Sequence, residues 1–222
     1  MNNTSKLWYE EFDSSRFNTI SKLYYERFFK NIPNIDNLKV LDYACGIGQG
    51  TALLNNVIYY DKSEDAIKIA KKHNINVLNN LDLIEDNSFD IVFCCTSLEH
   101  CLEPRTELKN MYKKLKKGGK LILIVTDFAN EFPVGGSYTH LKEKIYFDRF
   151  DFHPCGWYYN WNFTGLNNLL ISVGFKVVDN KRVGYKGSRF FEFIKNFKLY
   201  FWLINFTGMF FKKTQMYFEA EK

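Results

Sequence analysis

The residues best suited to bind a ligand form a glycine-rich loop early in the chain. Residues 40–51 read VLDYACGIGQGT, in which an apolar run leads to Asp42 and then to glycines at alternate positions. The run predicts a buried parallel strand, and the glycines let the loop backbone approach a ligand closely. We expect a helix over 48–55, whose N-terminal amides favour electron-rich ligand groups. The loop alone leaves the ligand open, and a tight turn without a ligand is the alternative.

The spacing of these glycines excludes two common nucleotide sites. The dinucleotide fingerprint G-x-G-x-x-G would need glycine at 46, 48 and 51, but Thr51 stands at the last position and the third glycine comes one residue earlier. The phosphate-binding loop G-x-x-x-x-G-K-[ST] is also absent, since no Gly-Lys-Ser or Gly-Lys-Thr occurs in the chain. A nicotinamide cofactor is therefore not expected.

A second acid follows the next apolar run. The apolar run over residues 57–60 is followed directly by Asp61. In a doubly wound sheet, an acid at this place accepts hydrogen bonds from ribose hydroxyls. Ser63 is a suitable N-cap for a helix over 63–73. Strands and helices alternate from there onward, which predicts a parallel sheet with helices on both faces. We expect strands over 38–43, 57–60, 75–78, 89–95, 119–126 and 175–183, a last strand in MYFEAEK, and helices over 48–55, 63–73, 104–116 and 164–173.

Several segments in this order resemble one enzyme family. The segments LDYACGIG, SFDIV, SLEH and LKKGGKLIL are similar to motifs of the class I S-adenosylmethionine (SAM) methyltransferases, in the group that acts on small molecules. The first motif of that family usually reads L-D-x-G-C-G-x-G. It is matched by Leu41, Asp42, Cys45, Gly46 and Gly48, with Ala44 in place of the first glycine. The resemblance implies a doubly wound, seven-stranded, mostly parallel sheet with an antiparallel last strand, with SAM as methyl donor and S-adenosylhomocysteine as product.

The resemblance also implies where SAM binds. Asp42 is expected to contact its amino end, the glycine loop to line its methionine part, and Asp61 to bind its ribose. Thr96 ends the fourth strand, where the reactive methyl group should lie, and the family's usual glycine two residues before the ribose acid is replaced by Tyr59. The predicted cofactor residues are Asp42, Ala44, Cys45, Gly46, Gly48, Asp61, Lys62, Asn80, Leu81 and Thr96. The pair at 80 and 81 is assigned to the adenine.

Histidines are the candidate general bases. If the acceptor is a hydroxyl, a general base contributes about 10²–10⁴-fold to the rate. We rank His153 first, then His140, both in the aromatic stretch 129–160, and then His100 in SLEH. His153 is alternatively a residue satisfied inside its loop, and His100 a structural or methionine-side contact. No metal is expected.

Composition limits the class of protein. The chain has 222 residues, enough for one α/β domain over 1–222. Its net charge is +5 with scattered Lys and Arg, whereas nucleic-acid binders usually concentrate them in a patch. The five cysteines include no C-x-x-C pair and the N-terminus has no apolar signal segment, so we expect a cytoplasmic protein without structural zinc.

Three segments outside the motifs are assigned by pattern. Residues 5–31 are expected to form an N-terminal helix, and 129–160 and 184–212 to be insertions on the acceptor side. The apolar part, 188–211, is interrupted by charges and too short to span a bilayer. It is interpreted as a helix packed on the sheet or a dimer interface, with a lid or a weak contact with a membrane surface as alternatives. The chain is expected to be a monomer or homodimer.

Taken together, the motifs predict a SAM-dependent methyltransferase with a small-molecule acceptor. Resemblance alone suggests O-methylation of a sugar or of a surface-polysaccharide or capsule substituent, such as a phosphoramidate. A protein or tRNA methyltransferase and a non-catalytic partner subunit with the same fold are the alternatives.

Overall fold

Seven strands and three helices form the part of the chain that the computed structural model describes, residues 25–127, 159, 161–183 and 215–222. Residues 25–29 are also helical. The strands are β1 (Val40–Tyr43), β2 (Val57–Tyr60), β3 (Val77–Leu78), β4 (Phe89–Cys95), β5 (Leu115–Thr126), β6 (Lys176–Val183) and β7 (Gln215–Glu221). The helices are α1 (Glu64–Lys72), α2 (Pro104–Lys114) and α3 (Phe163–Val173).

The strands form one sheet in the order β3-β2-β1-β4-β5-β7-β6. The pairs among β1 to β5 are parallel, and β7 runs antiparallel to both β5 and β6, between which it lies. This confirms the predicted doubly wound sheet with an antiparallel last strand. The strand order changes direction between β1 and β4, and open α/β sheets bind ligands in the crevice at such a point, beyond the carboxyl ends of the strands.

The two faces of the sheet are buried against different parts of the chain. One face carries Leu41 and Val92, which pack in a cluster with residues of α2 and α3 such as Leu108 and Leu166. The other face carries Val40, Ile91 and Phe93, which pack with Phe28 and Phe29 of the helical residues 25–29. Helices therefore cover both faces, as the alternating pattern predicts.

The helix predicted over 48–55 is wrong. Residues 44–56 connect β1 to β2 through turns, and the Leu54 N–H donates to the Thr51 carbonyl at 2.9 Å in a single turn. The physical reason is length, because β2 begins at Val57 and little chain remains after the loop to form a helix. α2 also ends earlier than predicted, at Lys114, because the next residue already pairs with β4.

Other expectations fall on residues that the structure does not describe. The proposed insertions 129–160 and 184–212, and the predicted N-terminal helix before residue 25, lie outside the described ranges except for isolated positions. Within those ranges, no helix has the length and apolar character needed to cross a bilayer.

Candidate functional site

Asp42 lies at the carboxyl end of β1, beneath the glycine loop. Its side chain is 2% exposed, and its Oδ2 accepts a hydrogen bond from the Thr51 hydroxyl at 2.7 Å. Burial and, to a smaller extent, the nearby Asp61 carboxylate raise the pKa of Asp42 to about 7, against the opposing effect of the Thr51 hydrogen bond. A Cβ added at Gly50 would meet the Phe93 ring at 2.9 Å, so the loop packs too closely there for a side chain.

Asp61 connects the glycine loop to the start of α1. Its Oδ2 accepts from the Gly46 N–H at 2.7 Å and its Oδ1 accepts from the Ser63 N–H at 2.8 Å. The residue is 8% exposed, and burial raises its pKa while the backbone hydrogen bonds oppose the rise. Each carboxylate oxygen can accept more than one hydrogen bond, so Asp61 can still accept from a ligand hydroxyl.

Ala44 occupies a backbone conformation that favours glycine. Its φ is +57°, in the left-handed region, which costs a residue with a Cβ about 1–2 kcal/mol. The Ala44 carbonyl accepts from the Ser97 hydroxyl at 3.2 Å, and the following Cys45 N–H donates to the Tyr60 carbonyl at 3.0 Å. These contacts to β4 and β2 hold the strained residue in place, as is common at functional sites.

Replacing Ala44 by glycine is expected to raise the free energy of unfolding by about 0.5–1 kcal/mol, because the strain exceeds the extra chain entropy of glycine. Ala66→Gly is the matched control, since Ala66 is fully buried in α1 and glycine there should lower the free energy of unfolding. Urea denaturation measures both changes. Destabilisation by Ala44→Gly would show that the methyl group contributes packing that outweighs the strain.

The end of β4 is also strained. Thr96 has φ of +49°, which is an outlier for a β-branched residue, and its N–H donates to the Ile124 carbonyl at 2.7 Å. The next hydroxyl, Ser97, lies within hydrogen-bond distance of the Ala44 and Cys95 carbonyls. β4 therefore turns sharply at the edge of the sheet where Thr96 is predicted to face the methyl group.

The residues predicted at the outer rim have protein partners. The Lys62 ammonium lies 2.7 Å from the Glu107 carboxylate, which also accepts from the Tyr43 hydroxyl. Asn80 caps a short 3-10 helix over Leu81–Leu83 through a 2.9 Å bond from the Asp82 N–H. These positions border β2 and β3, and their roles toward a cofactor stay predictions.

Tyr59 packs against the outer side of the loop. A Cβ added at Gly48 would lie 2.9 Å from the Ile75 side chain and 3.4 Å from the Tyr59 ring. The Tyr59 ring therefore occupies space beside the loop that stays open in the resembled family, whose motif usually has glycine at this position.

Glu99 is a buried carboxylate that the sequence analysis did not select. It lies in the 3-10 helix Leu98–His100 after β4, is 2% exposed, and its Oε1 accepts from the N–H and the hydroxyl of Thr126 at 3.2 and 2.9 Å. Its Oε2 is buried and has no donor among the described residues. Burial raises the pKa of Glu99. The sequence feature that could have indicated Glu99 is an acidic residue in the short turn that follows a central strand.

The structure brings most of the predicted cofactor residues together. Asp42, the loop from Ala44 to Gly48, Asp61 and Thr96 surround the carboxyl ends of β1, β2 and β4. His100 lies half-buried beside Glu99, whereas His140 and His153 lie outside the described residues. Among the described residues, no group of three His, Cys, Asp or Glu side chains could hold a metal ion.

Comparisons with known proteins point to methyltransferases. Residues 41–123 match the family described as "Methyltransferase domain". The chain is 31% identical over 134 residues to the ubiquinone biosynthesis O-methyltransferase of Hydrogenovibrio crunogenus, covering 53% of this chain and 55% of that protein. It is 29% identical over 165 residues to the ubiquinone/menaquinone biosynthesis C-methyltransferase UbiE of Pseudoalteromonas translucida, covering 66% and 56%. The chain thus spans about half the length of the curated relatives it matches.

A solved structure has the same fold. The SAM-dependent methyltransferase from Archaeoglobus fulgidus superposes with a TM-score of 0.63, covering 97% of this chain and 100% of that one. The identity is 18%, so the similarity establishes the fold and not the acceptor.

Proposed function

We propose that this chain is a class I SAM-dependent methyltransferase that transfers a methyl group from SAM to an oxygen atom of a small molecule. The observation that carries the proposal is the arrangement of Asp42 and Asp61 on either side of the glycine loop. Both carboxylates lie at the carboxyl ends of adjacent strands, beside the point where the strand order changes direction.

The charges around the loop suit SAM. SAM carries a sulfonium and an ammonium and has no phosphate, and the buried acids Asp42 and Asp61 favour such cationic groups. The nearby cation, Lys62, is already paired with Glu107. The same carboxylates would repel the pyrophosphate of a dinucleotide. We assign the ammonium to Asp42, the ribose to Asp61, and the methionine part to the loop backbone and Thr96.

The protein contributes alignment and a proton acceptor. When bound, SAM supplies an electrophilic methyl group, and the sulfur of SAM is the leaving group, which becomes the thioether of S-adenosylhomocysteine. Positioning of the acceptor oxygen against it can supply roughly 7–11 kcal/mol of the barrier. The acceptor hydroxyl must lose its proton as the carbon–oxygen bond forms, and Oε2 of Glu99 is a carboxylate oxygen without a donor among the described residues. We propose Glu99 as a proton acceptor beside the predicted histidines His153, His140 and His100.

The acceptor class is proposed from the relatives' names. They are named for methylation in ubiquinone and menaquinone biosynthesis at oxygen or carbon. The expected sugar or capsule substrate has no support among them. We therefore propose a phenolic hydroxyl as the methyl acceptor in preference to a sugar hydroxyl.

Binding and transfer are tested separately. Calorimetry with SAM and with S-adenosylhomocysteine tests the cofactor, and methyl-labelled SAM tests transfer to catechol, 3,4-dihydroxybenzoate, glucose and glucose 6-phosphate. Binding of both cofactor forms and label in a phenol are expected. Folded protein that binds neither SAM nor S-adenosylhomocysteine would refute the proposal, and label confined to sugars would reverse the acceptor order.

SAM affinity is expected to rise with pH up to about 7. Because burial raises the pKa of Asp42 from 3.8 to about 7, its carboxyl is protonated below that pH and cannot pair with the SAM ammonium. Affinity should therefore fall about tenfold for each pH unit below 7. The stability of the free protein changes in the opposite sense, since a raised acid pKa stabilises the fold below pH 3.8 and this contribution is lost as pH rises through 7.

Calorimetry and urea denaturation between pH 5.5 and 7.5 (about two units around this pKa) measure these two dependences. Asp42→Asn should flatten both, because the amide does not titrate while its oxygen still accepts from Thr51. The same pH dependence in Asp42→Asn as in the wild type would assign the titration to another group.

A further inference from the structure

We propose that Arg182 binds an anionic group of the methyl acceptor and selects acceptors that carry a carboxylate or phosphate. The inference rests on the proposed function, because it names a contact of the acceptor in that same site. It is carried by the position of Arg182, by the contacts that fix its guanidinium, and by two buried polar atoms at the same edge of the sheet that have no partner among the described residues.

Arg182 lies at the edge of the sheet where the predicted chemistry takes place. Its neighbour Val183 pairs with Gln215 of β7, and Gln215 pairs with Thr126 of β5. Thr126 in turn holds the carboxylate of Glu99. Arg182 is therefore on the β5–β6 side of the carboxyl edge, away from β1 and β2, where the cofactor residues lie.

Two contacts fix the Arg182 guanidinium. Its Nε donates to Oδ2 of Asp127 at 2.6 Å, and its central carbon lies 5.2 Å from the centre of the Phe163 ring. The Asp127 side chain is 3% exposed whereas that of Arg182 is 51% exposed. A ligand therefore meets the guanidinium first, with the anchoring carboxylate behind it.

Arg182 has donors that the described residues do not use, and its side chain is half exposed. Asp127 takes Nε, and the two terminal nitrogens have no acceptor among the described residues. A planar guanidinium with a fixed orientation and free terminal N–H groups matches a carboxylate or a phosphate in a two-point contact. The contacts with Asp127 and Phe163 already restrict the Arg182 side chain. Ligand binding therefore costs less side-chain entropy than it would for a mobile arginine.

Two further polar atoms near this edge have no partner in the part of the chain that the structure describes. Oε2 of Glu99 and the indole N–H of Trp161 are buried without a hydrogen bond among the described residues. They belong to one contact network, because the Tyr159 N–H donates to the Glu99 carbonyl at 3.4 Å and the Tyr159 ring stacks on Trp161 at 5.2 Å. Buried polar atoms without partners are rare, and at a ligand site the ligand supplies the partner.

The test compares probes that differ only in the anionic group. Calorimetry with saturating S-adenosylhomocysteine measures binding of 3,4-dihydroxybenzoate against catechol, and of glucose 6-phosphate against glucose. We expect the wild type to bind the charged member of at least one pair about tenfold more tightly. The pair that shows the preference identifies carboxylate or phosphate as the group recognised.

Variants assign that preference to the guanidinium. Arg182→Gln should abolish it, and Arg182→Lys should reduce it, because lysine keeps the charge and loses the planar fork. Lys181→Gln is the matched control: it removes the same charge one residue away, from a side chain that pairs with Asp179 and lies over Tyr217. The control should keep the wild-type preference.

Two results would overturn the inference: an equal affinity of the wild type for both members of each pair, and an unchanged preference in Arg182→Gln. If Arg182→Gln does not fold because the buried Asp127 carboxylate loses its ion pair with Arg182, the double variant Arg182→Gln/Asp127→Asn removes both charges and answers the same question. S-adenosylhomocysteine binding is measured first in each protein. Its absence in the wild type counts against the proposed function, whereas failure of the probe pairs alone counts against the anion contact.

Discussion

Asp61→Ala is expected to weaken S-adenosylhomocysteine binding by about 100-fold or more. The carboxylate holds the Gly46 N–H at 2.7 Å and the Ser63 N–H at 2.8 Å, so its removal releases the glycine loop from the start of α1. It also removes the proposed acceptor for the ribose hydroxyls. Hydrogen bonds to a charged group contribute about 1.5–3 kcal/mol each. The loss of two such bonds from the ribose hydroxyls accounts for the expected weakening of about 100-fold or more. Calorimetry on the folded variant measures the change.

Asp90→Ala is the control for this prediction. Asp90 also accepts a backbone hydrogen bond, from the Lys39 N–H at 2.8 Å, and it pairs with Lys116, but it lies near the amino end of β4. Its loss should lower stability and leave binding unchanged. Equal weakening by both variants would mean that Asp61 acts through general stability, and no weakening by Asp61→Ala would remove it from the site.

Glu99→Gln is expected to lower the rate of methyl transfer by about 100-fold or more while cofactor binding is unchanged. The amide oxygen can still accept from the N–H and the hydroxyl of Thr126, so the link between the ends of β4 and β5 is kept. The variant lacks the basic oxygen that is proposed to receive the acceptor proton, and general bases contribute about 10²–10⁴-fold. Single-turnover assays measure the rate, with whichever of the four proposed test acceptors is methylated by the wild type.

The pH dependence separates a chemical role of Glu99 from a structural one. Burial raises the pKa of Glu99, so at saturating SAM the wild-type rate should rise with pH as the carboxylate forms, and this rise should be absent in Glu99→Gln. Glu103→Gln makes the same change at an exposed position before α2 and should leave the rate unchanged. A wild-type rate in Glu99→Gln would return the role of base to the predicted histidines His100, His140 and His153.

Local patterns predicted most of the elements. β1, β2 and β4 are short apolar runs, and α1 begins directly after Ser63, whose hydroxyl accepts from the Ala66 N–H at 3.3 Å as its N-cap assignment predicts. Such features depend on neighbouring residues and can be recognised in one sequence. The placement of Asp42 and Asp61 at adjacent strand ends follows from the same patterns, while their roles toward SAM stay proposals.

The errors come from the space available and from contacts between distant residues. The motif favoured a helix over 48–55, but the short connection to β2 allows only turns. Glu99 was overlooked because its importance depends on Thr126 at the end of β5. Arg182 was overlooked because its fixed guanidinium requires Asp127 and Phe163, from β5's end and from α3.

The sequence by itself determined the alternation of strands and helices and the position of the glycine loop between its two acids, because apolar runs, caps and glycines are encoded locally. Only the tertiary structure decided that Asp61 holds the loop to α1, that Ala44 and Thr96 are strained, and that Glu99 and Arg182 both have partners at the end of β5. Glu99 follows β4 and contacts Thr126, whereas Arg182 lies in β6 and contacts Asp127, although β7 separates β6 from β5 in the sheet. These contacts depend on strand order and register, which no local pattern in the chain contains.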